Sequence, residues 1–371
     1  MSPFLHGKEG NPVSIHREGV EAAGAVEKAR EEVAKTISAN KDEIIFTSGG
    51  TEGNSLALFG SWLALTKNSA PSSLHFITTK IEHPSVLDWF AYFESKGAPV
   101  TYLPVDKDGL VSTSELSLAL RSETALVSIM SVNNEIGVIQ PVAELGKIIL
   151  NHRKKTNRPC LFHTDASQAM LFCEMRVEKL HVDLMAMDGQ KIYGPKGVGA
   201  LFIKRGVKIE PIMRGGRQEK GLRPGTQNVP GIVGMEEAIR LAAFQREDET
   251  ARLRKLRDYF VGELKSKIPS VEINGSMEKR LPNNLNISIP GFDNTYLALS
   301  LDAAGIGVAT RSACIQEGKA SYVVSALGKE EKSASSSIRF SMGLATKKGH
   351  LDSVIKVLSK IVAAKIVAGH R

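Results

Sequence analysis

Two residues set the chemistry this chain can attempt. Asp165 follows the apolar run Cys160-Leu161-Phe162-His163, and Lys191 follows the next such run, Leu184-Met185-Ala186-Met187. A buried lysine with an aspartate from the neighbouring strand is the pair that a pyridoxal phosphate enzyme needs. The amine condenses with the cofactor's aldehyde, and the carboxylate keeps the pyridine nitrogen protonated. Other polar residues also stand just past strand-like runs, where ligands sit in α/β sheets. Thr47-Ser48-Gly49-Gly50-Thr51-Glu52 is a strand-to-helix turn whose amides and hydroxyls suit a phosphate, although an ordinary helix cap has the same composition. Glu82-His83-Pro84-Ser85 and Asn133-Asn134-Glu135-Ile136-Gly137 occupy equivalent places, and a lone histidine or an asparagine pair there is more often structural.

The elements that must position these residues alternate in type. Strand-like runs at 44–47, 74–79, 100–105, 125–132, 160–163, 184–187 and 199–203 are separated by helical segments at 85–97, 114–121 and 142–153. Such alternation predicts an α/β fold, a largely parallel sheet with helices on both faces. Past Pro230 the pattern changes to one charged amphipathic helix over 231–268, strand-like segments at 284–289 and 306–309, and a final helix. The expectation is a large α/β domain over 1–230 and a smaller α+β domain over 231–371, with the N-terminal helix a candidate to pack against the smaller one.

Composition narrows the class further. The 371 residues are 42% hydrophobic and 24% charged, which leaves no case for disorder or a disulfide scaffold. The three cysteines, Cys160, Cys173 and Cys314, are odd in number and suit a reducing, cytoplasmic setting. No apolar run approaches the roughly 18 residues of a bilayer span, and the first residues lack the apolar core of a signal peptide. The net charge of +8 is concentrated at the C-terminal end, with Lys356, Lys360 and Lys365 along one helix. That spacing reads as a solvated face, and no nucleic-acid motif accompanies it. Neither nucleic acid nor a membrane is therefore an expected partner.

Seven ordered motifs add to this reading: Phe46-Thr-Ser-Gly-Gly-Thr-Glu, Val132-Asn-Asn-Glu-Ile-Gly, His163-Thr-Asp-Ala-Ser-Gln, Lys191-Ile-Tyr-Gly-Pro-Lys-Gly, Gly221-Leu-Arg-Pro-Gly-Thr-Gln-Asn, Arg311-Ser-Ala-Cys and Ser337-Ile-Arg-Phe-Ser-Met-Gly. In this order they resemble the NifS-like cysteine desulfurases, in the class V aminotransferase group of fold-type I pyridoxal phosphate enzymes. The resemblance covers nearly the whole chain. It implies a sheet of the seven-stranded type and the cofactor pyridoxal 5'-phosphate.

Carried over motif by motif, the resemblance also implies roles. Lys191 forms the Schiff base, Asp165 pairs with the pyridine nitrogen, and His83 stacks on the ring and helps move protons. Gln168 and Asn134 hydrogen-bond the hydroxyl side of the ring, Asn134 also lining the substrate site. Gly50 and Thr51 bind the phosphate, near Asp188 and Gln190, and Thr226 reaches the phosphate of a second subunit, which implies a homodimer with shared sites. Arg339 holds the carboxylate of the substrate, L-cysteine, and Cys314 takes its sulfur as a persulfide. The product is L-alanine, and the sulfur passes to an acceptor or an iron–sulfur scaffold protein.

Three departures from the family pattern stand out. Asp188-Gly189-Gln190-Lys191 replaces Ser-Gly-His-Lys, so two phosphate donors are changed. The chain begins near Gly10-Asn11-Pro12-Val13, without the usual Asn-Ala-Thr-Thr-Pro-like segment, and Thr310-Arg311-Ser312 replaces Ser-Gly-Ser. Two other readings stay open at this point: a different reaction of the superfamily, such as selenocysteine lysis or transamination, and a weakly active homologue that serves as a sulfur-transfer scaffold.

Overall fold

The computed structural model describes residues 1–7, 10–310 and 320–369. Seven short apolar segments form one sheet: β1 (Ile44–Thr47), β2 (His75–Thr79), β3 (Val100–Leu103), β4 (Thr124–Ser128), β5 (Leu161–Asp165), β6 (Leu184–Asp188) and β7 (Gly199–Ile203). Every residue of β1, β2, β4 and β6 is buried, so these strands are covered on both faces. Double coverage explains why they read as continuous apolar runs rather than alternating ones.

The strand order is β1-β7-β6-β5-β4-β2-β3. Neighbours from β6 to β3 are parallel, whereas β7 runs antiparallel to both β6 and β1. Two reversals bring β1 back to the direction of β6. The carboxyl ends of β1, β2, β5 and β6 therefore share one edge of the sheet, and the turns bearing Gly50, His83, Asp165 and Asp188 meet there. The Gly50–Thr66 helix packs over β5, β6 and β7, which aims its N-terminus at the same edge.

The chain divides into two compact units, 1–103 with 111–132 and 140–246, and 104–110 with 133–139 and 247–371. This differs from a single cut at residue 230, for two physical reasons. The change of pattern at Pro230 marks the start of one unbroken helix, Val229–Lys267, and the division falls inside it between Arg246 and Glu247. Two loops from the first half also belong to the smaller unit through backbone pairing: Ser276 N donates to Asp108 O (2.8 Å) and Ile139 N to Lys279 O (2.8 Å). The N-terminal helix, Arg17–Thr36, belongs to the large unit.

The small unit is built on an antiparallel sheet of β8 (Glu272–Ile273), β9 (Asn284–Ser288) and β10 (Ser337–Ser341) in the order β10-β9-β8. Leu285 and Ile287 are fully buried within it, and Phe340 meets Phe260 edge to face with ring centroids 5.2 Å apart.

Candidate active site

The turn after β1 is shaped by glycine. Gly49 has φ 153° and ψ −174°, a conformation essentially reserved for that residue. The Gly50–Thr66 helix then starts without a side-chain cap, so the amides of its first turn point toward the sheet edge. Such a terminus attracts anions through unpaired N–H groups and the helix dipole. A methyl group at Gly50 would lie 2.6 Å from Ser167 Oγ, so the helix start packs directly on the turn after β5.

Asp165 ends β5 and is 8% exposed. Its Oδ1 accepts from Ser167 N (2.9 Å) and its Oδ2 from Asn54 Nδ2 (2.8 Å). Asn54 also donates to Ser85 Oγ (2.9 Å), and Ser85 Oγ lies 2.8 Å from His83 Nδ1. That nitrogen accepts from Ser85 N as well (3.1 Å), which caps the Pro84–Ser95 helix. Burial lowers the pKa of His83 and Lys191 adds to the effect, while Asp165, Asp88 and Asp188 oppose it. Beside it Glu82 is fully buried, accepting from Thr79 Oγ1 (2.8 Å) and Met130 N (2.9 Å). Burial, assisted by the charge of Asp165, pushes its carboxyl up to about 8.

Asp188 ends β6 and turns onto Gln190, its Oδ1 accepting from Gln190 N (3.0 Å) and its Oδ2 from Gln190 Nε2 (3.1 Å). The same carboxylate lies 3.5 Å from where a methyl at Gly50 would stand, so it faces the uncapped helix start. Lys191 comes from the strand next to Asp165, as expected, because β5 and β6 pair with Asp165 opposite Ala186. Its expected burial is corrected: Lys191 is exposed. It sits in the short turn Gly189–Ile192, where Ile192 takes the inward position and leaves Gln190 and Lys191 outward.

Gln168 is half-buried in the turn after Asp165. Thr226 is exposed on a loop anchored at both ends. Arg223 Nε donates to Glu52 Oε1 (3.0 Å) next to Thr51, and Gln227 donates to Glu219. Glu219 in turn forms a buried two-pronged pair with Arg30 (2.7 and 2.8 Å) and accepts from Phe46 N (2.8 Å).

Asn134 and Arg339 stand together in the small unit. Arg339, on β10, donates from Nη1 to Asn134 O (2.7 Å). Its Nε and the Asn134 Oδ1 are buried without a hydrogen-bond partner. Unsatisfied buried groups of this kind mark a place where a polar ligand compensates. Cys314 lies outside the described residues. Burial pushes the Cys160 thiol up to about 12 and the Cys173 thiol up to about 11, which leaves both poor nucleophiles.

Sequence reading missed Asn54 and passed over Ser85. Helical spacing carries the signal for the first, since Asn54 lies one turn beyond Gly50 on the same helix face. No group of three or more metal-ligating side chains occurs among the described residues. No helix among them is long and apolar enough to cross a membrane.

The strand order and the sheet edge define a fold-type I pyridoxal phosphate enzyme. The aminotransferase class-V family matches residues 1–354, and the chain belongs to that family. It is 46% identical over 363 residues to the cysteine desulfurase IscS of Dictyoglomus turgidum, covering 98% of this chain and 90% of that protein. A solved NifS-like protein matches with a TM-score of 0.89 and 37% identity, over 98% of this chain and 94% of that one. A structure of SspA in complex with cysteine matches at 0.78 and 32% identity, covering 92% of each chain.

The residues present fit the cofactor of this class. An uncapped helix start suits its phosphate, a buried carboxylate suits its ring nitrogen, and an exposed amine on the adjacent strand suits its aldehyde. Asp188 is an opposing charge at the helix start, and Gln190 already hydrogen-bonds both of its oxygens.

Proposed function

We propose that the chain is a cysteine desulfurase, which converts L-cysteine to L-alanine and carries the sulfur as a persulfide on Cys314. The acceptor is a sulfur-transfer or iron–sulfur scaffold protein, and the enzyme works in the cytoplasm as a homodimer. The observation that carries this reading is the pair of Asp165, at the end of β5, and Lys191, in the turn that follows the adjacent parallel strand β6, with His83 tied to Asp165 through Asn54 and Ser85. The full-length likeness to a named cysteine desulfurase supports it.

Gly50 and Thr51 would hold the phosphate of pyridoxal phosphate, Asp165 its ring nitrogen, Gln168 its hydroxyl side and Lys191 its aldehyde. When bound, the cofactor supplies an electron sink that lets the substrate's Cα proton leave. Lys191 and His83 are the groups that accept and return protons, and Arg339 is the fork for the substrate carboxylate, with the Asn134 amide as its companion. Thr226 would serve the phosphate of a second subunit. The Cys314 thiolate attacks the sulfur: the Cβ–S bond breaks, an S–S bond forms, and the carbon skeleton keeps the electron pair and takes up a proton. Cysteine plus thiol thus becomes alanine plus persulfide.

The Asp188–Gln190 pairing favours one other reading, a weakly active homologue kept for its protein partners. The visible spectrum with added pyridoxal phosphate, alongside alanine formation from L-cysteine, separates the two. A yellow protein that forms alanine, with both properties lost in Lys191→Ala, is the expected result. A protein that stays colourless at saturating cofactor would overturn the proposal.

A further inference from the structure

Asn54 stands in the function above only as the link between Asp165 and Ser85, with no role of its own. It is 1% exposed, and its amide nitrogen lies within hydrogen-bond distance of both Asp165 Oδ2 (2.8 Å) and Ser85 Oγ (2.9 Å). The orientation of this amide follows from its neighbours. A carboxylate only accepts, so the group facing Asp165 must be the NH2. The carbonyl oxygen, Oδ1, is left buried and without a partner, a cost the site tolerates in order to present two donors.

The second donor fixes the next bond. Ser85 Oγ accepts from Asn54, and its own proton is then directed to His83 Nδ1, 2.8 Å away. The backbone N–H of Ser85 also points at Nδ1 (3.1 Å). Two donors aimed at one ring nitrogen require a lone pair there, so the proton of the neutral ring resides on Nε2. We propose that Asn54 and Ser85 are positioning residues that lock His83 in the Nε2–H tautomer and couple it to the carboxylate of Asp165. His83 then handles protons through Nε2 alone, and a charged imidazolium is disfavoured because Nδ1–H would meet the Ser85 N–H.

The groups around the ring agree in part. Lys191 disfavours the charged ring, as does burial, whereas Asp165, Asp88 and Asp188 favour it. Without the hydroxyl of Ser85, the acidic neighbours gain weight and the ring protonates more readily. Asn54→Ala acts in the same direction, since Ser85 Oγ is freed to accept from a protonated Nδ1.

This inference rests on the proposed role of His83, but its test reads the ring itself. Nitrogen-15 spectra of histidine-labelled protein, with and without pyridoxal phosphate, report the tautomer and the titration midpoint of His83, assigned by comparison with His83→Gln. The expected wild-type signal is Nε2–H. Ser85→Ala and Asn54→Ala should raise the midpoint by about one pH unit, the scale of a single hydrogen bond. Ser85→Thr, which keeps the hydroxyl, should restore it. A wild-type Nδ1–H signal, or midpoints unchanged in both alanine variants, would overturn the inference. A wild-type protein showing Nε2–H but forming no alanine would instead count against the desulfurase reading and leave the lock standing.

Discussion

Asp188 and Gln190 carry the family's largest departure, and their geometry turns it into a measurable quantity. The carboxylate faces the helix start that would receive the phosphate. Two unit charges about 5 Å apart in an effective dielectric of about 20 repel by roughly 3 kcal/mol, about a hundredfold in affinity. The helix dipole and the two bonds from Gln190 offset part of this. Asp188→Ser with Gln190→His removes the charge and restores two donors, so cofactor affinity should rise by roughly tenfold to a hundredfold. Fluorescence titration with pyridoxal phosphate measures it, and unchanged or weaker binding would show that Asp188 turns away from the ligand. At this scale the sequence was legible where a residue stands at the end of a strand or in the turn just after it, as Asp165 and Lys191 do. The exposure of Lys191 was not legible, because a one-turn helix decides which of two neighbours points inward. Asn54 was hidden for a related reason: an asparagine inside a helix looks like a solvated position until the helix is known to start at the site.

The elements hold the site through a few buried polar ties. Glu219 is the clearest, since it accepts from Arg30, Phe46 N and Gln227 and so joins the N-terminal helix, β1 and the loop that bears Thr226. Arg30 lies over the Phe46 ring, 4.8 Å from its centroid, and also donates to Ile44 O (2.9 Å). Removing one partner of such a pair strands a buried charge, so Glu219→Ala should lower unfolding stability by about 3–5 kcal/mol, read as a fall in the urea midpoint. A change below about 1 kcal/mol would mean that water reaches Arg30 in the native state. The strands themselves were legible because both faces of the sheet are covered, so most residues of the core strands are apolar or hydroxyl-bearing and the charged ones, Asp165 and Asp188, stand at strand ends. The turn that places Glu219 was not. Its backbone is left-handed at Glu219 and Lys220 (φ 45° and 60°), at residues with no local preference for that shape.

At the scale of the whole molecule, two compact units bear different members of the proposed residue set. The large one bears Gly50, Thr51, His83, Asp165 and Lys191, and the small one bears Asn134 and Arg339. Their division was only half legible, because the Val229–Lys267 helix runs on unbroken past the expected boundary and two loops from the first half join the second unit. The desulfurase reading makes Cys314 the sulfur carrier. Cys160 and Cys173, with thiols raised by burial, are not competitors. The decisive measurement is therefore peptide mass spectrometry of the cofactor-loaded protein after exposure to L-cysteine, with alanine quantified in parallel. The expected result is one additional sulfur atom on the Cys314 peptide and an equal amount of alanine, both absent in Cys314→Ser and both kept in Cys160→Ser and Cys173→Ser. Alanine formed at the wild-type rate by Cys314→Ser, with no sulfur added to any cysteine, would contradict the account.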